Sequence, residues 1–206
     1  MKLYRRGGDH MILVDRDELM SSRMSGSEEA LAVMTAARLG PRKAPHWLIG
    51  GYGMGFTLRA TLPLLPRDGR VTVAELVPEI VDWAKGPMAA MTGKSLADPR
   101  VTVRIGDVGD AIAEGRGRYD AILLDVDNGP DGLVRAENDR LYSSTGLAIT
   151  KAALRPGGIL AIWSAGSDPS FTRRLKEAGF QVDEQAVRAR QNGKGPRHTI
   201  WFARGR

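Results

Sequence analysis

The 206-residue chain has no cysteine, which removes disulfide cross-links, thiol nucleophiles and zinc–thiolate sites from consideration. No apolar run approaches the ~20 residues that a membrane-spanning helix requires. The charged stretch Met1 to Asp15 lacks the apolar core of a secretory signal, so a cytoplasmic protein without a membrane partner is expected. No G-x-x-x-x-G-K-[ST] segment is present, which argues against a P-loop nucleotidase. His10 and His46 show no ligand-like spacing, and no metal is expected. Aromatic residues amount to only 6%, and no stacking pattern accompanies the basic C-terminal group Arg188, Arg190, Lys194, Arg197, Arg204 and Arg206. The net charge of +6 is therefore read as a basic surface spread along the chain, and a nucleic-acid partner is not expected. What remains, with 42% hydrophobic and 26% charged residues, is the composition of a soluble globular protein with one good core.

The order of elements follows from periodicity and turn chemistry. Residues 2–6 and 10–15 read as a short hairpin across Gly7-Gly8-Asp9. Ser25-Gly26-Ser27-Glu28-Glu29 opens a helix to about Leu39, with acidic residues at its positive end, and Gly40-Pro41 stops it. Strands are expected at 46–50, 70–75, 100–105, 120–125 and 158–164, rich in Val, Ile and Leu as strands covered on both faces should be. Helices are expected near 55–65, 78–92, 107–114 and 139–154, with a kink or split at Gly86-Pro87. Arg155-Pro156-Gly157-Gly158 reads as a turn. A helix near 168–178 precedes two strands, 180–187 and 198–203, that form a final hairpin. Repeated β–α units predict an α/β fold with a doubly wound, mostly parallel seven-stranded sheet, Rossmann-like, ending in an antiparallel hairpin. The expected division is a short N-terminal hairpin and helix over residues 1–42 and a Rossmann-like domain over 43–206.

In such a sheet the ligand lies beyond the carboxyl ends of the strands, near the point where strand order reverses. Four features converge there. The first is the turn Gly51-Tyr52-Gly53-Met54-Gly55 after the first core strand. Its glycines permit a sharp turn and close approach of the backbone to a ligand. The second is Glu75, closing Val71-Thr72-Val73-Ala74-Glu75, where a carboxylate suits two ribose hydroxyls. The third is Asp107 in Ile105-Gly106-Asp107-Val108, which also suits a helix cap. The fourth is Asp125, ending Ala121-Ile122-Leu123-Leu124-Asp125. The glycine spacing lacks the G-x-G-x-x-G of dinucleotide binders, because position 56 is Phe. That favours an adenosine ligand without a pyrophosphate.

These runs, with Arg100–Ile112, Tyr119–Pro130 and Leu141–Ser164, resemble class I S-adenosylmethionine-dependent methyltransferases. More narrowly, they resemble the spermidine synthase (polyamine aminopropyltransferase) family of polyamine biosynthesis, which shares that fold. The resemblance implies that Glu75 binds the ribose and Asp107 the adenine amino group, and that Gly51, Gly53 and Gly55 line the sulfonium side chain. It makes Asp125 the catalytic carboxylate that accepts a hydrogen bond from the attacking amine. It places Asp127 and Tyr142 beside a small-molecule amine substrate, and it implies a homodimer. The acidic loop with Asp127, Asp131, Glu137 and Asp139 suits a cationic amine. Aligned without gaps, Met54 stands where that family carries an aspartate facing the cofactor's amino group, and Asn128 where it carries a second acid. Three readings stay open: a transferase moving an aminopropyl group from decarboxylated S-adenosylmethionine, a methyltransferase using S-adenosylmethionine itself, and a non-catalytic nucleoside-binding protein.

Overall fold

Along the central strands, successive side chains enter opposite apolar layers, because the strand period is two. The computed structural model describes residues 1–126 and 139–205. The chain opens with β1 (Lys2–Arg6), β2 (Asp9–Val14), β3 (Asp17–Ser21) and α1 (Gly26–Leu39). The alternating part is β4 (His46–Gly50), α2 (Phe56–Thr61), β5 (Arg70–Glu75), α3 (Pro78–Lys85), α4 (Ala89–Thr92), β6 (Val101–Ile105), α5 (Val108–Ala113) and β7 (Tyr119–Leu124). Then come α6 (Asp139–Tyr142), α7 (Ser144–Ala153), β8 (Leu154–Ser164), α8 (Pro169–Glu177), β9 (Phe180–Arg188) and β10 (Arg197–Gly205).

Among the described residues the larger sheet has seven strands in the order β6-β5-β4-β7-β8-β10-β9. Strands β6 to β8 pair in parallel, and β10 is antiparallel to both β8 and β9. The expected doubly wound sheet with its C-terminal hairpin is therefore present. One layer takes Trp47, Ile49, Val71, Val73, Ala121, Leu123, Ile159 and Phe202 from the strands and packs them on α1, α2 and α3. The other takes Leu48, Ala74, Ile122, Leu124, Leu160 and Trp201 and packs them on α5, α7 and α8. Nearly continuous apolar strands are the signature of a sheet covered on both faces, and burial of that area supplies the main driving force. No helix of the described residues is long and apolar enough to cross a membrane.

The chain departs from expectation in local punctuation. The N-terminal hairpin gains a third strand, β3, which pairs with β2 through a register irregularity after Ile12. Its sequence, Asp17-Glu18-Leu19-Met20-Ser21, has weak strand propensity, so pairing rather than composition sets its conformation. The helix after β4 shortens to six residues and continues as a 3-10 turn over Leu62–Leu64 around Pro63. Gly86-Pro87 splits α3 from α4 as expected. The helix expected over 139–154 is broken at Ser143, whose Oγ accepts the Gly146 N–H at 3.0 Å and caps α7. The expected turn 155–158 is instead absorbed into β8, with an irregular register opposite Tyr119.

At the end of the sheet away from the glycine turn, Asp120 joins three neighbouring strands. Its Oδ2 accepts the His46 backbone N–H at 2.8 Å and Arg155 Nη1 at 2.7 Å. The His46 ring meets Thr72 Oγ1 at 2.9 Å, and burial with nearby Arg118 and Arg155 pushes its pKa down to about 4. His46 is thus a neutral core residue. Asp120 is only 3% exposed, so Asp120→Ala strands a buried amide and a guanidinium. The expected cost is about 2–4 kcal/mol in urea unfolding; a change below about 0.5 kcal/mol, the range of ordinary surface substitutions, would show that the three-strand junction is held by other contacts.

Candidate active site

Three backbone hydrogen bonds align the strand ends. Gly51 N–H donates to the Ala74 carbonyl at 2.9 Å, Gly106 N–H to the Glu75 carbonyl at 2.9 Å, and Asp125 N–H to the Gly50 carbonyl at 3.0 Å. The loops after β4, β5, β6 and β7 therefore meet at the place where strand order reverses, between β4 and β7. At Gly51, φ is +83° and a Cβ would fall 2.4 Å from the Asp125 carbonyl oxygen. Only glycine lets the turn approach β7 this closely.

A cavity of about 320 Å³ opens there, a size suited to a small-molecule site. Glu75, Asp107, Asp125, Gly51 and Gly53 all line it. Glu75 is buried, its Oε2 accepting the Tyr52 N–H and its Oε1 the Val77 N–H, both at 2.8 Å. Asp107 caps α5, its Oδ1 accepting the Gly109 N–H at 2.6 Å, and the same side chain reaches the cavity. Gly55 is not in the lining: it begins α2 beneath the Tyr52 ring, whose hydroxyl lies 2.7 Å from where its Cβ would be. Tyr142, expected beside the amine, is buried edge-on against Phe171 at 5.5 Å, in the core layer under α8. Asp127, Asn128, Asp131 and Glu137 lie outside the described residues.

The structure adds cavity residues that periodicity did not single out. Glu28, expected only as a favourable charge at the start of α1, is buried and lines the cavity. Burial, then the nearby Asp125 carboxylate, pushes its pKa up to about 8. Burial also raises Asp125 to about 6, against the lowering effect of Thr57, whose Oγ1 donates to Asp125 Oδ2 at 2.7 Å. The two carboxyls titrate together and hold fewer than two charges at neutral pH. Ser27 Oγ donates to Glu28 Oε2 at 2.7 Å and meets His198 Nδ1 at 2.8 Å. When Glu28 is ionised it takes the serine hydrogen, which leaves the histidine hydrogen on Nδ1. The His198 ring packs edge-on against Trp163 at 4.7 Å, and both line the cavity. His198 is thus a wall of the site. Leu19, Met20 and Met24 from the N-terminal segment form a further wall. A serine-acid pair in the first turn of α1 was the available signal for Glu28; nothing local marks Met20.

No family model matches the chain. Among curated proteins it is 35% identical over 126 residues to a polyamine aminopropyltransferase of Corynebacterium efficiens, covering 58% of this chain and 22% of that one. It is 30% identical over 190 residues to a polyamine aminopropyltransferase of Mycobacterium tuberculosis, covering 86% of this chain and 34% of that one. The chain therefore spans about a third or less of the length of these curated relatives. Among solved structures, a spermidine synthase from Thermotoga maritima superposes with a TM-score of 0.73 at 18% identity, over 95% of this chain and 65% of that one. A spermidine synthase in complex with the transition-state analogue AdoDATO superposes with a TM-score of 0.72 at 17% identity, over 95% and 64% respectively. At that identity the structural likeness speaks to the fold.

The buried acid pair makes stability depend on pH in a definite direction. A carboxyl raised from 4.5 to about 8 by folding stabilises the folded state below the lower value, and that contribution is lost as pH rises through the upper one. The melting temperature is expected to fall between pH 5 and pH 8.5, and Glu28→Gln to flatten the fall. At pH 8.5 the variant should melt higher by roughly 2–4 °C for each kcal/mol relieved. Superimposable profiles would remove Glu28 from the buried pair.

Proposed function

We propose that this chain, which is spermidine synthase-like in sequence and fold, transfers an aminopropyl group from decarboxylated S-adenosylmethionine to a small-molecule amine. The observation that carries this reading is the charge of the cavity. Among the described residues its lining holds five carboxylic side chains, Glu18, Glu28, Glu75, Asp107 and Asp125, and no lysine or arginine. This stands in a protein of net charge +6. Local field, not total charge, selects the ligand. The decarboxylated donor carries a sulfonium and an ammonium, and its acceptor is an amine. S-adenosylmethionine adds a carboxylate for which the described lining offers no cationic side chain. Arg59, on α2 after the glycine turn, donates to the Met91 carbonyl and lies over the Phe56 ring.

In this reading Glu75 holds the ribose. Each of its oxygens accepts one backbone N–H and keeps a lone pair for a hydroxyl. Asp107 keeps Oδ2 for the adenine amino group while Oδ1 caps α5. Gly51 and Gly53 face the sulfonium side chain. Asp125, held by Thr57, accepts a hydrogen bond from the acceptor amine and takes its proton. The amine lone pair forms the new N–C bond as the C–S bond breaks. The electron pair returns to sulfur, which leaves as the neutral thioether methylthioadenosine. A sulfonium leaving group needs no general acid, so alignment of the two reactants and the proton acceptor supply the acceleration. Elevation of Asp125 to about 6 keeps it ionised at neutral pH while strengthening it as a base.

The test couples calorimetry with detection of methylthioadenosine from the purified protein given decarboxylated S-adenosylmethionine and a panel of amines. Donor-dependent release is expected. Asp125→Asn should lower turnover by about 10²–10⁴-fold, the range for a lost general base, with donor affinity nearly unchanged. A comparable loss of donor affinity would reassign Asp125 to donor binding. Glu75→Ala should weaken methylthioadenosine by about 1–3 kcal/mol; unchanged affinity would remove Glu75 from the ribose site. Methyl transfer from S-adenosylmethionine would replace this reading with the methyltransferase one, and binding of neither donor would overturn both.

A further inference from the structure

The glycine turn is not an open cradle of amides. Four of the five N–H groups from Gly51 to Gly55 are taken within the protein. Gly51 N–H goes to the Ala74 carbonyl at 2.9 Å, and Gly55 N–H to the Tyr52 carbonyl at 2.8 Å. Tyr52 N–H goes to Glu75 Oε2 at 2.8 Å. Met54 N–H goes to a side chain from a different sheet, the thioether sulfur of Met20, at 3.2 Å. The contact is close on the neighbouring residue too: a Cβ at Gly53 would fall 2.8 Å from both the sulfur and the terminal methyl of Met20. Gly53 has φ +53°, and its missing side chain is the space that Met20 fills.

We infer that Met20 is a specificity-determining residue that excludes donors bearing an α-carboxylate, an inference that rests on the aminopropyl-transfer reading. Glycine turns at strand ends bind anions through exposed N–H groups. Here the Met54 N–H is occupied by a thioether, a weak acceptor that a carboxylate would displace if it could reach the amide. The Met20 S–CH₃ blocks that approach. Its surface is apolar and polarizable, so it tolerates an alkyl chain ending in an ammonium. A carboxylate pressed against it would lose water without gaining the Met54 N–H, and no lysine or arginine among the described lining residues compensates. The device replaces positive selection of an ammonium by a discrete acceptor at Met54 with rejection of the group that distinguishes the competitor.

The experiment measures the affinities of decarboxylated S-adenosylmethionine, S-adenosylmethionine and methylthioadenosine for wild type, Met20→Ala and Met20→Val by calorimetry. Methylthioadenosine, which has no amino-acid tail, reports whether the adenosine site survives. The wild type is expected to prefer the decarboxylated donor. Met20→Ala should shift the ratio of the two donors toward S-adenosylmethionine by about 10-fold or more, the scale set by an exposed hydrogen-bond donor to a charged group, with methylthioadenosine affinity nearly constant. Met20→Val keeps strand propensity in β3 and should shift the ratio in the same direction by a smaller factor, so the inference stays testable if the alanine variant does not fold. A ratio unchanged in the folded variants would overturn the role of Met20 while leaving aminopropyl transfer standing. A wild type that binds methylthioadenosine and neither donor would overturn both.

Discussion

The site depends on one buried carboxylate bridging two turns. Glu75 ends β5, and its two oxygens accept amides from different loops, Tyr52 after β4 and Val77 before α3. Without that clamp, neither turn has a partner for its inward N–H, and a buried unpaired amide is costly enough that both would relax. The clamp fixes the height of the glycine turn above the sheet. That height sets the contact of Gly51 with β7 and of Gly53 with Met20. The residue proposed to hold the ribose thus also positions its neighbours, and the same geometry leaves lone pairs on both oxygens directed by a rigid frame. Preorganisation of this kind lowers the cost of ordering a ligand.

A second theme is separation of charge by depth. Basic side chains give the protein its net +6, yet several are committed away from the cavity, Arg155 to Asp120, Arg38 to Asp183 and Arg100 to Asp98. Carboxylates gather at the strand ends instead. Burial in the desolvated pocket disfavours the charged form of both Glu28 and Asp125, and the Asp125 carboxylate disfavours it further at Glu28. Functional sites commonly hold such strain. A cationic ligand relieves it, so part of the attraction between this cavity and an ammonium or sulfonium is prepared before either arrives.

The sheet was legible because its strands are apolar on both faces. Val71–Glu75 and Ala121–Asp125 announce themselves as buried parallel strands, and the acid that ends each follows from the rule for open α/β sheets. What was not legible is whatever depends on contact between distant segments. Glu28 reads as an ordinary acid at a helix start; only packing of α1 on α2 and β10 turns it into a cavity wall. His198 carries no motif. The third N-terminal strand has the composition of a turn, so Met20, which it positions, was invisible as well. Tyr142, placed beside the amine by resemblance alone, packs its ring edge-on against Phe171 of α8, a contact that likewise joins distant segments.

The Ser27–His198 hydrogen bond spans 171 positions of sequence. Its strand, β10, does not lie at the rim but is inserted between β8 and β9. An emerging chain can therefore form β4 to β8 and dock their helices while the cavity still lacks one wall. Only when β10 pairs with β8 does His198 meet Trp163 and Ser27. Until then β8 has an unpaired edge, because β9 reaches the sheet only through β10. An unpaired edge of that kind is open to a strand from another molecule, so pairing of β10 is what closes the interior of the sheet to such a partner.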